Sequence, residues 1–175
     1  ASGKFEFDHI VLGVLVALYF GRLVTVDDLF RGFSNRAVIT IASVYVISAG
    51  VARTGVAYAV GQQIGRLAGN SEAALIALTM VGAGVLSAFM SNIGAAAVML
   101  PTIVAAARSM NIPVSRVLLP LSYGALMGGM LTLVGTPSNL LVNGVMIANG
   151  YESFGLFEFT PFGVAVLGAG IVVMV

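Results

Sequence analysis

Two windows of 35 residues each, 73–107 and 117–151, contain no Asp, Glu, Lys, Arg or His. A continuous α-helix of that length would run about 52 Å at about 1.5 Å per residue, against a bilayer hydrocarbon core of about 30 Å. Each window is too long for one span, yet two full spans would take about 40 residues plus a turn. Both windows carry an interruption near the middle. The first is "MSNIG", Met90 to Gly94, and the second is "VGTPSN", Val134 to Asn139, where Pro137 has no backbone N–H to donate.

Composition identifies the solvent. Of the 175 residues, 59% are hydrophobic and 9% charged, with a mean hydropathy of +1.05. Soluble domains average about 45–50% apolar and about 25% charged. A very apolar soluble helical domain is the competing reading, and uncharged windows this long favour a lipid bilayer as the partner. A net charge of +1 gives no footprint for nucleic acid. The absence of cysteine removes disulfide scaffolds and thiolate metal sites. One histidine, His9, with no clustered carboxylates leaves no histidine-built metal centre or catalytic triad, so an enzyme is not expected and no cofactor is implied.

Charges mark the joints of an all-α, multi-pass membrane protein. A first transmembrane helix is expected over 8–24, with Arg22 snorkelling near its end, and a second over 36–52, with Ser34 and Asn35 as caps. Several apolar segments follow the first one and no small-residue cleavage site is evident, so it reads as a membrane helix and not a signal peptide. Residues 53–70 mix Arg and Gln with apolar residues at helical spacing, which suits an amphipathic helix lying in the interface, Arg53 being a snorkelling surface charge. Glu72 and Arg108 bracket the first window and belong at one membrane surface, which describes a re-entrant hairpin over 72–108 with Ser91 and Asn92 at its tip. The second window is bounded by Arg116 and the glycine-rich "NGYESFG", and reads as a transmembrane helix over 114–151 with an unwound middle. A further span begins at 159–175. The chain starts at Ala1 and stops inside an apolar run, and reads as a piece of a longer protein.

Orientation follows the distribution of Lys and Arg in short loops. One side holds Lys4, Arg53, Arg66, Arg108 and Arg116, and the other holds Arg22, Arg31 and Arg36, offset by Asp27 and Asp28. The first side is taken as cytoplasmic, in a cell membrane, so the hairpin enters from the cytoplasmic face.

Irregular backbone at membrane depth is tolerated where protein buries it or where it lines a watery cavity. Each interruption exposes carbonyls that end one half-helix and N–H groups that start the next. Carbonyl ends suit a small cation and helix N-termini suit an anion, so broken helices meeting near the midplane make a co-transport site. Ser87 and Ser91, four apart, would share one face if the first arm is helical there. Ser91 and Asn92 precede "IGAAAVML", and Ser138 and Asn139 precede "LLVNGVMI", so both pairs can cap half-helices. Gly82, Gly84 and Gly94 would let the hairpin arms pack closely, and "GALMGGMLTLVG", Gly124 to Gly135, would do likewise for the second broken helix. Against this stands a plainer reading. Ser87 or Thr132 could bond back to the preceding helical turn, and the small residues could be packing faces alone. His9 and Glu72 are read as interface residues, and Tyr45 and Tyr123 as packing residues.

"SAFMSNIGAAAVMLP" followed by "LLPLSYGALMGGMLTLVGTPSNLLV" resembles the divalent anion:sodium symporter family, within the wider ion transporter superfamily that includes arsenite and sodium/proton transporters. "FRGFSNRAVITIASVYVISAGVARTGVA" is similar to the segment before the hairpin in sulfate-type permeases of that group. The resemblance implies two inverted repeats, each with a re-entrant hairpin bearing Ser-Asn-Thr and a broken helix bearing a Gly-Thr-Pro loop. This chain would cover most of the first repeat. By resemblance, sodium is held by Ser87, Ser91 and Asn92 with backbone carbonyls around Gly135, and a small anion meets Ser91, Asn92, Thr136 and Pro137. Ile93 stands where the family has threonine, which weakens the case for a dicarboxylate and leaves sulfate or another inorganic anion open.

The resulting expectation is sodium-coupled symport of an anion such as sulfate or a di- or tricarboxylate, by an elevator-like or rocking alternation, in a protein that forms a homodimer when complete. A sodium/proton antiporter or arsenite efflux protein on the same scaffold is the alternative. Proton antiport usually needs an ionisable group at membrane depth, and neither window has one. A non-transporting membrane subunit is the third reading.

Overall fold

The structure, a computed structural model, describes residues 7–31, 33–34 and 36–175. Lys4 and Asn35, used above for orientation and capping, lie outside the described residues. The described elements are all helical: α1 Phe7–Phe20, α2 Val26–Arg31, α3 Arg36–Arg53, α4 Val56–Ala68, α5 Glu72–Ser87, α6 Asn92–Ser109, α7 Ser115–Gly128, α8 Pro137–Ala148 and α9 Thr160–Met174. They divide into two units, Ala1–Ile39 and Thr40–Val175.

In the first unit α1 ends at Phe20, short of the expected Val24. The Leu23 N–H reaches back to the Leu18 carbonyl at 3.0 Å, and the Arg22 N–H to Tyr19 at 3.0 Å. Arg22 takes the left-handed conformation, φ 55°, at the turn that closes this helix.

In the second unit, α3 gives way to α4 at Thr54–Gly55 with a bend of 55°. Gly55 sits at φ 76°, a conformation open to glycine, and the Thr54 hydroxyl donates to the Val51 carbonyl at 2.7 Å. α4 buries Ala57, Gly61, Ile64 and Ala68, one stripe at helical spacing. That stripe packs on protein. A Cβ on Gly61 would collide with Thr102 of α6 at 2.8 Å, and Ile64 fills the space above Gly82 of α5. The apolar face assigned to the interface from sequence is therefore taken up by α5 and α6, leaving Tyr58, Gln62 and Arg66 on the outer side.

α5 and α7 run parallel in a constant register. Glu72 meets Arg116 at their starts, the Met80 backbone meets Gly124, Gly84 meets Gly128, and beyond the helix ends the Ala88 carbonyl meets Thr132. Each pair is 44 residues apart. Small residues allow the two backbones to touch, which is how apolar helices associate when hydrocarbon surrounds them. Gly84 was expected to bring the hairpin arms together, and it instead seats α5 on α7, while Gly82 seats α5 on α4. Gly82 also faces α6, where a Cβ on it would lie 3.4 Å from Met99 Cε. Leu75, Ala83, Leu86, Met99 and Ile103 belong to one buried cluster spanning α4 to α7. α9 closes the other side of α5 and α7 through Leu167 and Gly170, the latter against Met127.

Among the described residues one helix, Asn92–Ser109, is long and apolar enough to cross a membrane, and the bent pair α3 and α4 passes the same test jointly. Helices Glu72–Ser87, Pro137–Ala148 and Thr160–Met174 are apolar but shorter. The outward surface carries Val46, Ile47, Val142, Val145, Val172 and Val173, all well exposed. An exterior this apolar fits hydrocarbon or further protein better than water.

Candidate functional site

Both uncharged windows are broken, at positions that differ from the sequence expectation by a few residues. The first break is Ala88–Ser91, so α5 stops at Ser87 and Asn92 already belongs to α6. Ser87 and Ser91 therefore do not share a helical face, because the backbone turns between them through bonds from the Phe89 and Met90 N–H groups to the Leu86 carbonyl. The Ser87 hydroxyl, fully buried, donates instead to Asn92 Oδ1 at 2.7 Å. Ser91 is the N-cap of α6, with its Oγ accepting from the Gly94 N–H at 3.1 Å.

The second break runs from Gly129 to Thr136, beginning earlier than "VGTPSN" suggested. Proline is favoured at the first helical position, so Pro137 starts α8, and Ser138 and Asn139 fall inside its first turn and do not cap it. The cap position is Thr136, whose side chain makes no capping bond. Asn139 turns back and donates from Nδ2 to the Thr132 carbonyl at 3.1 Å.

Thr132 joins the two breaks. Its hydroxyl donates to the Ala88 carbonyl and accepts from the Gly135 N–H at 3.1 Å. Neither Ser87 nor Thr132 makes the bond to a preceding turn that the plainer reading expected. The Thr160 hydroxyl donates to the Leu131 carbonyl at 2.7 Å, and the Leu133 N–H bonds to the Leu156 carbonyl at 2.9 Å, so the first residue of α9 and the segment before it brace the second break.

The breaks touch at Gly129. A Cβ there would lie 2.5 Å from Asn92 Oδ1 and 2.6 Å from the Thr136 methyl, and a Cβ on Gly135 would lie 2.5 Å from the Gly129 carbonyl oxygen. Ser87, Asn92, Gly135 and Thr136 are thus gathered around one glycine. On a neighbouring side, Ser91, Val134, Gly135, Pro137 and Leu140 line a cavity of about 20 Å³ with Ile41, Val44, Tyr45 and Ser48 of α3. Tyr45, read from sequence as a packing residue, forms part of this wall. Ile93, 83% exposed, points elsewhere, into an open apolar groove between α6 and α7 that Asn92 also borders.

The junction assembles the C-terminal ends of α5 and α7 beside the N-terminal ends of α6 and α8. Carbonyl ends carry partial negative charge and N–H ends partial positive charge, so this uncharged place offers poles of both signs. Among the described residues no three His, Asp or Glu side chains come together. The chemistry on offer is hydroxyl, amide and backbone. Sequence reasoning did not find Gly129, the reach of Thr132 across to Ala88, or the α3 wall. The Gly128–Gly129 pair was the one local signal for an earlier break.

Helices broken beside one another, with small-residue packing and an uncharged polar junction, are compatible with the membrane-transport class of helical protein. The family comparison agrees. The model of the citrate transporter family matches residues 1–175, and the chain belongs to that family of transporters, which are not enzymes. It is 40% identical over 174 residues to the uncharacterised transporter YfbS of Escherichia coli strain K12, covering 99% of this chain and 28% of that protein. It is 35% identical over 168 residues to the uncharacterised transporter sll0640 of Synechocystis, covering 96% of this chain and 28% of that one. Sodium/sulfate cotransporter 1 of Chlamydomonas reinhardtii is 30% identical over 163 residues, 88% of this chain and 18% of its own length. The chain therefore spans little more than a quarter of the first two relatives. No solved structure matches it.

Proposed function

We propose that the chain forms part of a sodium-coupled anion symporter, and that the junction of the two breaks is where sodium and anion meet. The observation that carries this reading is the convergence of Ser87, Asn92, Gly129, Gly135 and Thr136, with Ser91 and Pro137 on the adjoining cavity. Sodium, a hard cation, takes oxygen ligands from Ser87, Ser91, Asn92 and the carbonyls around Gly135. The anion takes the N-terminal ends of α6 and α8, at Ser91, Asn92, Thr136 and Pro137. Cation binding between carbonyl ends adds the positive charge that a neighbouring anion needs, which couples the two. The name of the Chlamydomonas relative supports sulfate as substrate and sodium as partner ion. An uncharged junction favours this over proton antiport.

The hairpin α5–α6 enters from the cytoplasmic side of the cell membrane, and the complete protein works as a homodimer of inverted repeats. Cysteines placed at Arg66 and Arg116 label from the cytoplasmic side in this topology.

The test is uptake of radiolabelled sulfate and citrate by the complete protein in liposomes, with and without an inward sodium gradient. Sodium-dependent uptake of one of them, lost in Ser91→Ala and Asn92→Ala, is the expected result. Uptake indifferent to sodium, or intact in both variants, would overturn the reading.

A further inference from the structure

Ser48 lies within α3, and nothing in the sequence separates it from Ser43 on the same helix. The structure does. Ser48 is 6% exposed, and among the described residues its Oγ has no hydrogen-bond partner. Burying a hydroxyl without a partner is unfavourable, so such a group points to something that satisfies it. Ser48 lines the cavity that Ser91, Gly135 and Tyr45 also line, among apolar side chains of Ile41, Val44, Val134, Pro137 and Leu140.

Size decides what can be met there. The cavity holds about 20 Å³. A water-sized guest needs about 10–15 Å³ on this measure, so one such guest fits, and a four-oxygen anion does not. Ser91 Oγ accepts one bond from the Gly94 N–H and keeps a second lone pair, and the Ser48 oxygen has both of its own. Oxygens of this kind suit a hard cation.

We propose that Ser48 supplies an oxygen ligand to the coupling cation, so that sodium binding ties α3 to the tip of the hairpin. This rests on the sodium-site reading given above, shares with it Ser91 and Gly135, the residues of that site that line this cavity, and adds a third element to it. α3 continues through the bend at Thr54–Gly55 into α4, which is packed on α5 and α6, so a cation shared with Ser48 joins both ends of that connection.

The experiment is equilibrium binding of radiolabelled sodium to the complete protein in detergent. Ser48→Ala should raise the sodium Kd about tenfold, the scale of losing one contact to a charge, and so should Ser48→Cys, which keeps the size and replaces the hard oxygen. Ser91→Ala should weaken binding as well. Thr79→Val is the control, because Thr79 is likewise buried without a partner but does not line the cavity. Should Ser48→Ala fail to assemble, Ser48→Cys carries the comparison. Wild-type affinity in the Ser48 variants, with Ser91→Ala weakened, would sink the role of Ser48 and leave the junction reading standing. Wild-type affinity in the Ser48 and Ser91 variants alike would sink both. An equal loss in Thr79→Val would assign the effect to packing and overturn the proposal.

Discussion

The Thr132 hydroxyl donates to the Ala88 carbonyl across 44 residues of sequence, fastening the end of α5 to the break that follows α7. The same oxygen accepts from Gly135, so one side chain holds both interruptions in register. Thr132→Val keeps the shape and leaves a buried carbonyl and a buried N–H unpaired, at about 1–3 kcal/mol for each group left without a partner. Thermal unfolding in detergent should show a clear fall in midpoint for Thr132→Val and recovery in Thr132→Ser. Equal midpoints for wild type and Thr132→Val would mean that the bond does not hold the breaks together.

The contact of Gly84 with Gly128 sets how closely α5 and α7 approach. Any Cβ at Gly128 would overlap the Gly84 backbone, whereas one at Gly168 of α9 meets nothing within 4 Å. Overpacking of this kind costs about 1–3 kcal/mol or more when backbone must move. Gly128→Leu should greatly reduce the yield of folded, monodisperse protein, and Gly168→Ala should not. Size-exclusion chromatography distinguishes them.

Glu72 and Arg116 form the outer end of the same register, at 2.9 Å and 3.1 Å, with side chains 37% and 61% exposed. An ion pair in that setting contributes under about 1 kcal/mol and is screened by salt. Glu72→Gln should lower the unfolding midpoint slightly in low salt, and the difference should vanish in high salt.

Much of this arrangement was legible in the sequence, for physical reasons that can be named. Window length against bilayer thickness required two breaks, and Ser91 announced a helix start correctly because an N-cap is a local bond. Ser138 and Asn139 carried the same local signal, and Pro137 overrode it by starting the helix first. The pairing of Ser87 with Asn92 was hidden because helical spacing assumes a helix, and this one ends at Ser87. Thr132 and Ser48 were out of reach for another reason. Their roles depend on which distant backbone lies opposite, and an apolar helix such as α3 has no polar face to show which side turns inward.

Ile93 offers a test of specificity apart from stability. It is 83% exposed, so Ile93→Thr should leave the unfolding midpoint unchanged. Its side chain faces the groove between α6 and α7 and not the junction, so the ratio of carboxylate to sulfate uptake should also stay unchanged. A rise in that ratio would place position 93 on the substrate path and contradict this geometry.

The most direct test of sodium at the junction places a single cysteine there, in a complete protein from which any cysteine outside these 175 residues, which have none, has been removed. Val134 lines the cavity and is partly exposed, so Val134→Cys in the complete protein reports on that place. The rate of its modification by a small thiol reagent should fall in sodium relative to potassium at equal ionic strength, and Asn92→Ala should abolish the difference. Equal rates in sodium and potassium for Val134→Cys alone would contradict a sodium site at the meeting of the two breaks.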